Sequence, residues 1–332
     1  MLYPNSWYPL CTTGEVKKGE VISREAFGFR LAIFRTVGNQ LGLLESRCSH
    51  IGADLSRGRV DKDCLVCPLH NWSFNVQGEC VHIPCTDKIP PKAGQRSLVC
   101  MEHYGVVYAY LGAKPKFPLP KFPDLNKYVI SGVTTIDFDA SYEMAVANSF
   151  DEQHLSTVHR RNVIGEQKIS SSSDYNFSIE YRADITPHTI YDKILHMMGI
   201  KQNHMLLDCW GGNILLFSHL GTRNLMIISL LPVGKVCTRA YITTVTTSGQ
   251  GLVSSITDWL RVRLMHAFTM MFVSQDVKAL QGMDFKIDNM LPVHDTTMLK
   301  WYQHWLKLPR KPAWGADQTS STQLVSHGTK KT

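Results

Sequence analysis

The sequence predicts an α+β protein. An N-terminal all-β domain should be followed by a second domain with an antiparallel sheet and a long C-terminal helix. Three observations carry this reading. Short apolar, β-branched runs separated by turn residues fill the first third: "FRLAIFRTV", "LGLLES", "DCLVCP", "WSFNV" and "GVVYAYLG". Such runs make small antiparallel strands. The stretch "GAKPKFPLPKFP" (112–123) then places four prolines in twelve residues. Proline lacks the N–H that helices and central strands use, so the boundary falls there. Beyond it, "NILLFSHL", "NLMIISLLPV" and "TRAYITTVTT" read as strands, and a helical pattern runs from about 254 to 283.

Each element follows in order. Residues 1–115 form the first domain, 116–124 the proline-rich linker, 125–315 the second domain and 316–332 a disordered tail rich in Ser, Thr, Gln and Lys. Within the second domain "YVISGVTTIDFDA" reads as a strand and "SYEMAVANSFDEQHLSTVH" as a helix. "TTMLKWYQHWLKL" reads as a short final helix.

Composition narrows the function classes. The 332 residues suffice for two domains with real cores, and 44% hydrophobic content suits a globular protein. Lys and Arg number 35 against 28 Asp and Glu, a net charge of +7 without any basic block, which argues against nucleic-acid binding. No apolar run is long enough for a transmembrane segment, and "MLYPNSWYPL" lacks the pattern of a secretory signal. The apolar stretch 258–273 carries Arg261, Arg263 and His266; a packed amphipathic helix is favoured over one lying on a membrane surface. Nine cysteines in a chain of this length do not suggest a disulfide framework, so a cytoplasmic, reducing location is expected.

The chemistry begins at "CSHIGADLSRGRVDKDCLVCPLH". Cys48-x-His50 and Cys67-x-x-His70 are separated by sixteen residues. Thiolate and imidazole suit zinc and iron–sulfur clusters alike. A zinc finger expects a Cys-Cys pair followed by a His-His pair, whereas here each arm mixes the two. That arrangement fits a Rieske [2Fe–2S] cluster, in which two Cys hold one iron and two His the other. Cys64, Cys80 and Cys85 read as small buried residues around it.

A second constellation is "NSFDEQHLSTVH", with Asn148, Asp151, His154 and His159. Two His five apart on an ideal helix point about 140° apart, so a shared metal requires a π-bulge or a distorted turn.

The stretches "CSHIGA", "CPLHNWSF", "GECVHIP" and the opening "NSWYPL" resemble the Rieske non-haem iron oxygenases, the ring-hydroxylating α-subunit type. The resemblance implies a Rieske domain followed by a helix-grip (START-like) catalytic domain. It implies a [2Fe–2S] cluster on Cys48, His50, Cys67 and His70, and mononuclear Fe(II) on His154, His159 and a carboxylate. Asp276 in "SQDVKALQ" matches the third ligand better than Asp284, Asp288 or Asp295; it also lies in an apolar stretch, where a lone carboxylate is costly. Asp151 matches a residue that bridges to a cluster-ligating His of a neighbouring subunit, and Asn148 a polar neighbour of the iron. The family's usual Pro and Arg around the first His are replaced by Ser49 and Ile51, and the Gly after the second by Asn71.

High-potential Rieske proteins carry an extra Cys in each loop, and Ser and Tyr donors to the cluster. Ala53, Leu69, Trp72 and Phe74 stand at those positions, which implies a low potential. The resemblance further implies O2 as cosubstrate, a homotrimer and an external ferredoxin or NAD(P)H-dependent reductase, since no nucleotide-binding motif is present. The expected function is a terminal oxygenase that hydroxylates, dihydroxylates, demethylates or desaturates a mainly apolar small molecule. The alternative is a Rieske electron-transfer protein with a non-catalytic second domain. A structural zinc protein is the third class; it would be colourless.

Overall fold

Two-residue periodicity decides how the first third packs. The computed structural model describes residues 3–120, 128–222, 224–234, 236–249 and 252–310. Its first strands are β1 (Trp7–Thr12), β2 (Val21–Ala26), β3 (Phe29–Arg35), β4 (Leu41–Glu45) and β5 (Arg59–Asp61). There follow β6 (Cys64–Val66), β7 (Ser73–Phe74), β8 (Cys80–His82), β9 (Cys100–His103) and β10 (Val106–Tyr110). They form three antiparallel sheets, ordered β1-β10-β9, β2-β3-β4 and β5-β6-β7-β8. Successive residues of β3 serve different cores, as strand geometry requires. Leu31 and Ile33 join the core built on β1 and β10, while Ala32 and Phe34 face the cluster that contains Cys48 and Cys67.

The remainder comprises β11 (Tyr128–Phe138), α1 (Tyr142–Ala147), α2 (Glu152–Thr157), β12 (Arg161–Ser170), β13 (Asn176–Ile185) and α3 (Ile190–Met197). It continues with β14 (Gln202–Trp210), β15 (Ile214–His219), β16 (Asn224–Pro232), β17 (Thr238–Thr247), α4 (Leu252–Leu280) and α5 (Thr296–Lys307). The seven strands make one antiparallel sheet in the order β11-β17-β16-β15-β14-β13-β12.

This sheet is a wall between two cores. On β15, β16 and β17 the side chains of Ile214, Leu216, Leu225, Ile227, Tyr241 and Val245 pack against β1 and β10. The alternate residues Leu215, Leu230, Ala240 and Ile242 pack under the helices with Phe150 and Trp301. A strand covered on both faces must be apolar at nearly every position, which is why "NLMIISLLP" lacks polar alternation. Polar contacts reinforce the seam: Ser6 Oγ donates to Asn213 Oδ1 at 2.7 Å, Tyr241 OH to Leu10 O at 2.9 Å, and Tyr108 OH meets Ser229 Oγ at 2.8 Å.

The proline-rich stretch is fastened where it is described. Phe117 and Leu119 are buried, and Trp7 Nε1 donates to Phe117 O at 2.9 Å. Residues 121–124 of the expected linker and the expected tail, 316–332, lie outside the described residues.

The helix expected across "SYEMAVANSFDEQHLSTVH" is two helices and a 3-10 turn (Asn148–Phe150). The segment contains two caps. Ser141 Oγ accepts from Met144 N at 3.4 Å to start α1. Asp151, with extended backbone, accepts from Gln153 N at 2.9 Å and His154 N at 3.1 Å and starts α2. The expected long helix is α4, which crosses β11 and β17. His266 pins it there, with Nε2 at 2.8 Å from Thr134 Oγ1 and Nδ1 at 3.1 Å from Thr244 Oγ1. Val262 and Val273 are buried, while Ile256, Leu260 and Leu264 are exposed. Among the described residues no helix is long and apolar enough to cross a membrane.

Candidate metal centres

Two loops with one hydrogen-bond pattern hold the Cys-His pairs. In the first, Cys48 N donates to Ala53 O at 2.8 Å and Gly52 N to Cys48 O at 2.9 Å. In the second, Cys67 N donates to Trp72 O at 2.8 Å and Asn71 N to Cys67 O at 3.1 Å. Each closure turns through a left-handed residue at its fifth position, Gly52 at φ +87° and Asn71 at φ +58°. Asn is among the few side-chain-bearing residues that tolerate this region, so the departure from Gly leaves the turn intact.

The loops sort their ligands by burial. Cys48 and Cys67 are buried, and burial, with Cys67 beside it, pushes the Cys48 thiol up to about 11. His50 and His70 are exposed, with ring centroids 4.8 Å apart. Thiols paired inside and imidazoles paired outside is the donor arrangement a Rieske cluster takes, with one iron inward and one at the surface. Trp72 stacks on His50 at 4.4 Å, and Phe74 is buried. Neither side chain places an oxygen donor where a Ser or Tyr would.

Gln95, which sequence reasoning missed, anchors the first loop. Its Oε1 accepts from Ser49 N at 2.8 Å, and its Nε2 donates to Glu45 O and Arg47 O at 2.7 and 2.9 Å. The three neighbouring cysteines divide: Cys80 is buried as expected, Cys64 is partly exposed, and Cys85 is exposed, contrary to expectation. Cys85 follows β8 and Pro84 out of the sheet and so escapes the core. All nine cysteines are unpaired.

The second centre joins residues 122 positions apart. His154 Nε2 lies 2.7 Å and His159 Nε2 2.8 Å from the same atom, Asp276 Oδ1. Among the described residues these three form the one set whose donor atoms all lie within 4.8 Å. Of the four candidate carboxylates, Asp276 is thus the one brought to the histidines. No π-bulge is needed. α2 ends at Thr157, and His159 stands beyond it, just before left-handed Arg160 at φ +54°. The chain turns the second imidazole back, instead of presenting it from the helix.

Second contacts fix both rings. His159 Nδ1 lies 3.1 Å from Gln275 Oε1, and His154 Nδ1 lies 3.4 Å from Asp151 O. Both partners are acceptors, so each ring carries its proton on Nδ1 and turns the Nε2 lone pair inward. Two lone pairs then face a carboxylate oxygen, an arrangement that a cation between them relieves. Ligand atoms about 2.1 Å from a metal and at right angles to one another sit about 3 Å apart, close to the spacing here. The donor set therefore fits a divalent ion of the 2-His-1-carboxylate kind.

Burial raises the Asp276 carboxyl, but when the two Nε2 atoms are protonated their hydrogen bonds and charge outweigh it and hold the group at about 2; a cation held between the imidazoles and the carboxylate takes the place of those protons. Asn148 Nδ2 completes the corner, 3.2 Å from Asp276 Oδ1 and 3.3 Å from His154 Nε2. Phe272 stacks on His159 with ring centroids 3.5 Å apart. Asp151 is one turn from His154 and caps α2 with its carboxylate.

Comparison with known proteins bears on the N-terminal domain and on the overall fold. A family model described as the Rieske [2Fe-2S] domain matches residues 6–110. A cholesterol 7-desaturase of Ciona intestinalis is 28% identical over 222 residues, 62% of this chain and 47% of that protein. The oxygenase component of a 3-ketosteroid-9-alpha-monooxygenase from Rhodococcus rhodochrous is 36% identical over 108 residues, 32% of this chain and 28% of that protein. The chain spans less than half the length of these curated relatives. Among solved structures, NdmA of Pseudomonas putida CBB5 with caffeine shares the fold, with a TM-score of 0.68 and 19% identity over 90% of this chain and 88% of that one.

Proposed function

We infer that this chain, which carries a Rieske [2Fe–2S] domain and is related to Rieske oxygenases, is the terminal oxygenase of a multicomponent system. The observation that carries this reading is the second centre. His154 and His159 bring their Nε2 atoms to 2.7 and 2.8 Å from the one oxygen, Asp276 Oδ1. A domain that merely accompanied an electron carrier would have no need of such a set.

Cys48, His50, Cys67 and His70 would hold the cluster, and His154, His159 and Asp276 would hold Fe(II). Bound there, the iron would supply open coordination positions for O2 beside the substrate. The net change inserts one oxygen atom, or removes two hydrogens, for each O2 reduced with two electrons and two protons. Those electrons come from outside, from a ferredoxin or an NAD(P)H-dependent reductase. Exposed Ile51 and Leu69 beside the two imidazoles offer an apolar rim for docking. Asp151 would link a neighbouring subunit's cluster to His154 in a homotrimer. Asn148 holds the Asp276 carboxylate, and Gln275 the His159 ring.

The substrate class follows from the relatives' names and from the apolar surroundings of the centre, where Phe272 lies against His159. A polycyclic or alicyclic apolar molecule is proposed. The test is reconstitution with iron and a surrogate reductase, followed by a product screen on such compounds. Oxygenated or desaturated product is expected, abolished in Asp276→Ala while the red-brown cluster remains. Full iron and activity in Asp276→Ala would defeat the assignment.

A further inference from the structure

His159 lies in a connection, between the end of α2 and the start of β12, so no helix or ladder contact of its own fixes its backbone. Arg161 does so from within the protein. Its guanidinium is buried, donating from one terminal nitrogen to His159 O at 3.1 Å and from the other to Asp192 Oδ1 at 2.5 Å. Asp192 is only 2% exposed. Its other oxygen, Oδ2, accepts from Thr189 N at 2.9 Å and Thr189 Oγ1 at 2.8 Å, closing the capping box of α3.

We propose that Arg161 and Asp192 are positioning residues for the second metal centre: the pair clamps the His159 carbonyl and ties the seating of α3 to the direction of the His159 ring. This inference rests on the metal-centre reading above and extends it to residues that touch no ligand atom.

The argument is geometric. A guanidinium is planar and donates along fixed directions, so anchoring one end on Asp192 sets where the other end meets His159. The anchor belongs to a helix several of whose apolar residues face solvent. Ile190 is 76% and Met197 88% exposed, and Ile194 and Met198 also face outward. Asp192 is the buried polar anchor of α3, Leu195 is half-buried, and His196 Nε2 lies 2.5 Å from Ile185 O. A buried ion pair adds little net stability over apolar residues of the same volume. What the pair does supply here is a fixed distance from α3 to a ligand's backbone.

The test uses the full chain with its cluster assembled and Co(II) as the probe of the second site. Co(II) affinity and its d–d spectrum are measured alongside thermal unfolding and the cluster's visible absorption. Arg161→Met and Asp192→Asn are expected to weaken Co(II) binding about 10- to 100-fold and to change the d–d bands, with the cluster spectrum unchanged. The double variant Arg161→Met/Asp192→Leu removes both charges together. It should recover unfolding temperature but not the metal site, and Arg161→Lys should recover the site only in part. Wild-type Co(II) affinity and spectrum in the double variant would overturn the proposal, whatever its stability. If wild-type protein and Asp276→Ala bind Co(II) equally, the metal-centre reading itself fails, a distinguishable result.

Discussion

His159 and Gln275 meet at 3.1 Å, Nδ1 to Oε1, across 116 residues of sequence. The contact sets which nitrogen of the imidazole keeps its proton, and therefore which one faces Asp276. Gln275→Leu should leave the ring free to change tautomer. Fe(II) affinity, measured by chelator competition, should fall about 10- to 100-fold, and Gln275→Glu should retain most of it. Equal affinity in Gln275→Leu would show that the amide plays no part in fixing the ring.

Asp151 has two separable roles, because its carboxylate already caps α2. Asn caps helices as well as Asp does, so Asp151→Asn should preserve stability and mononuclear iron. Product formation driven through the cluster should fall sharply all the same. Asp151→Ala should in addition cost about 1 kcal/mol of stability. Undiminished turnover in Asp151→Asn would remove the carboxylate from the electron route.

The Rieske cluster should titrate at the negative end of its class, nearer about −150 mV than about +300 mV. Trp72 and Phe74 place no hydroxyl donor at the sulfurs, so the more negative reduced state gains less stabilisation. Potentiometry followed by EPR reads this directly; a midpoint well above zero contradicts it.

His266 should give the fold a pH dependence. Burial holds its imidazole below the ordinary 6.5, between the hydroxyls of Thr134 and Thr244. Folding therefore favours the neutral ring. That contribution is complete above the unfolded value and is lost as pH falls through the lower folded one. Unfolding temperature should drop as the buffer is taken from about pH 7.5 to about pH 5, and His266→Gln should flatten that drop. Parallel profiles for the two proteins would exclude the ring as the source.

Ile242 is fully buried on the helix-facing side of β17. Ile242→Ala should cost about 2–5 kcal/mol in denaturant unfolding. Ser97→Ala, at an exposed hydrogen bond to Gln77 O, should cost far less.

Much of this was legible because the signals are local. Each Cys-His pair lies within four residues, and Asn71 advertises its left-handed turn. Two-residue alternation likewise marks the strands. The histidine motif was misjudged as one helix because helical spacing was weighed without the cap at Asp151. Once that cap starts α2, the helix is too short to include His159. Gln95, Gln275 and Arg161 were missed for a different reason. Each acts on a residue outside its own motif, and no spacing rule marks a Gln that accepts from Ser49 N across 46 positions. Asp276 was found by its family pattern and its apolar neighbours, not by any period in the chain.

The wall of β15, β16 and β17 also bears on how such a protein could be divided. A Rieske half excised near residue 120 would bare Trp7, Tyr8, Tyr108 and the other aromatics that now lie against Ile214, Leu225 and Tyr241. The two halves are thus not interchangeable cartridges. A chimera that borrows either half from a relative inherits a mismatched seam unless the residues on both sides are transplanted together.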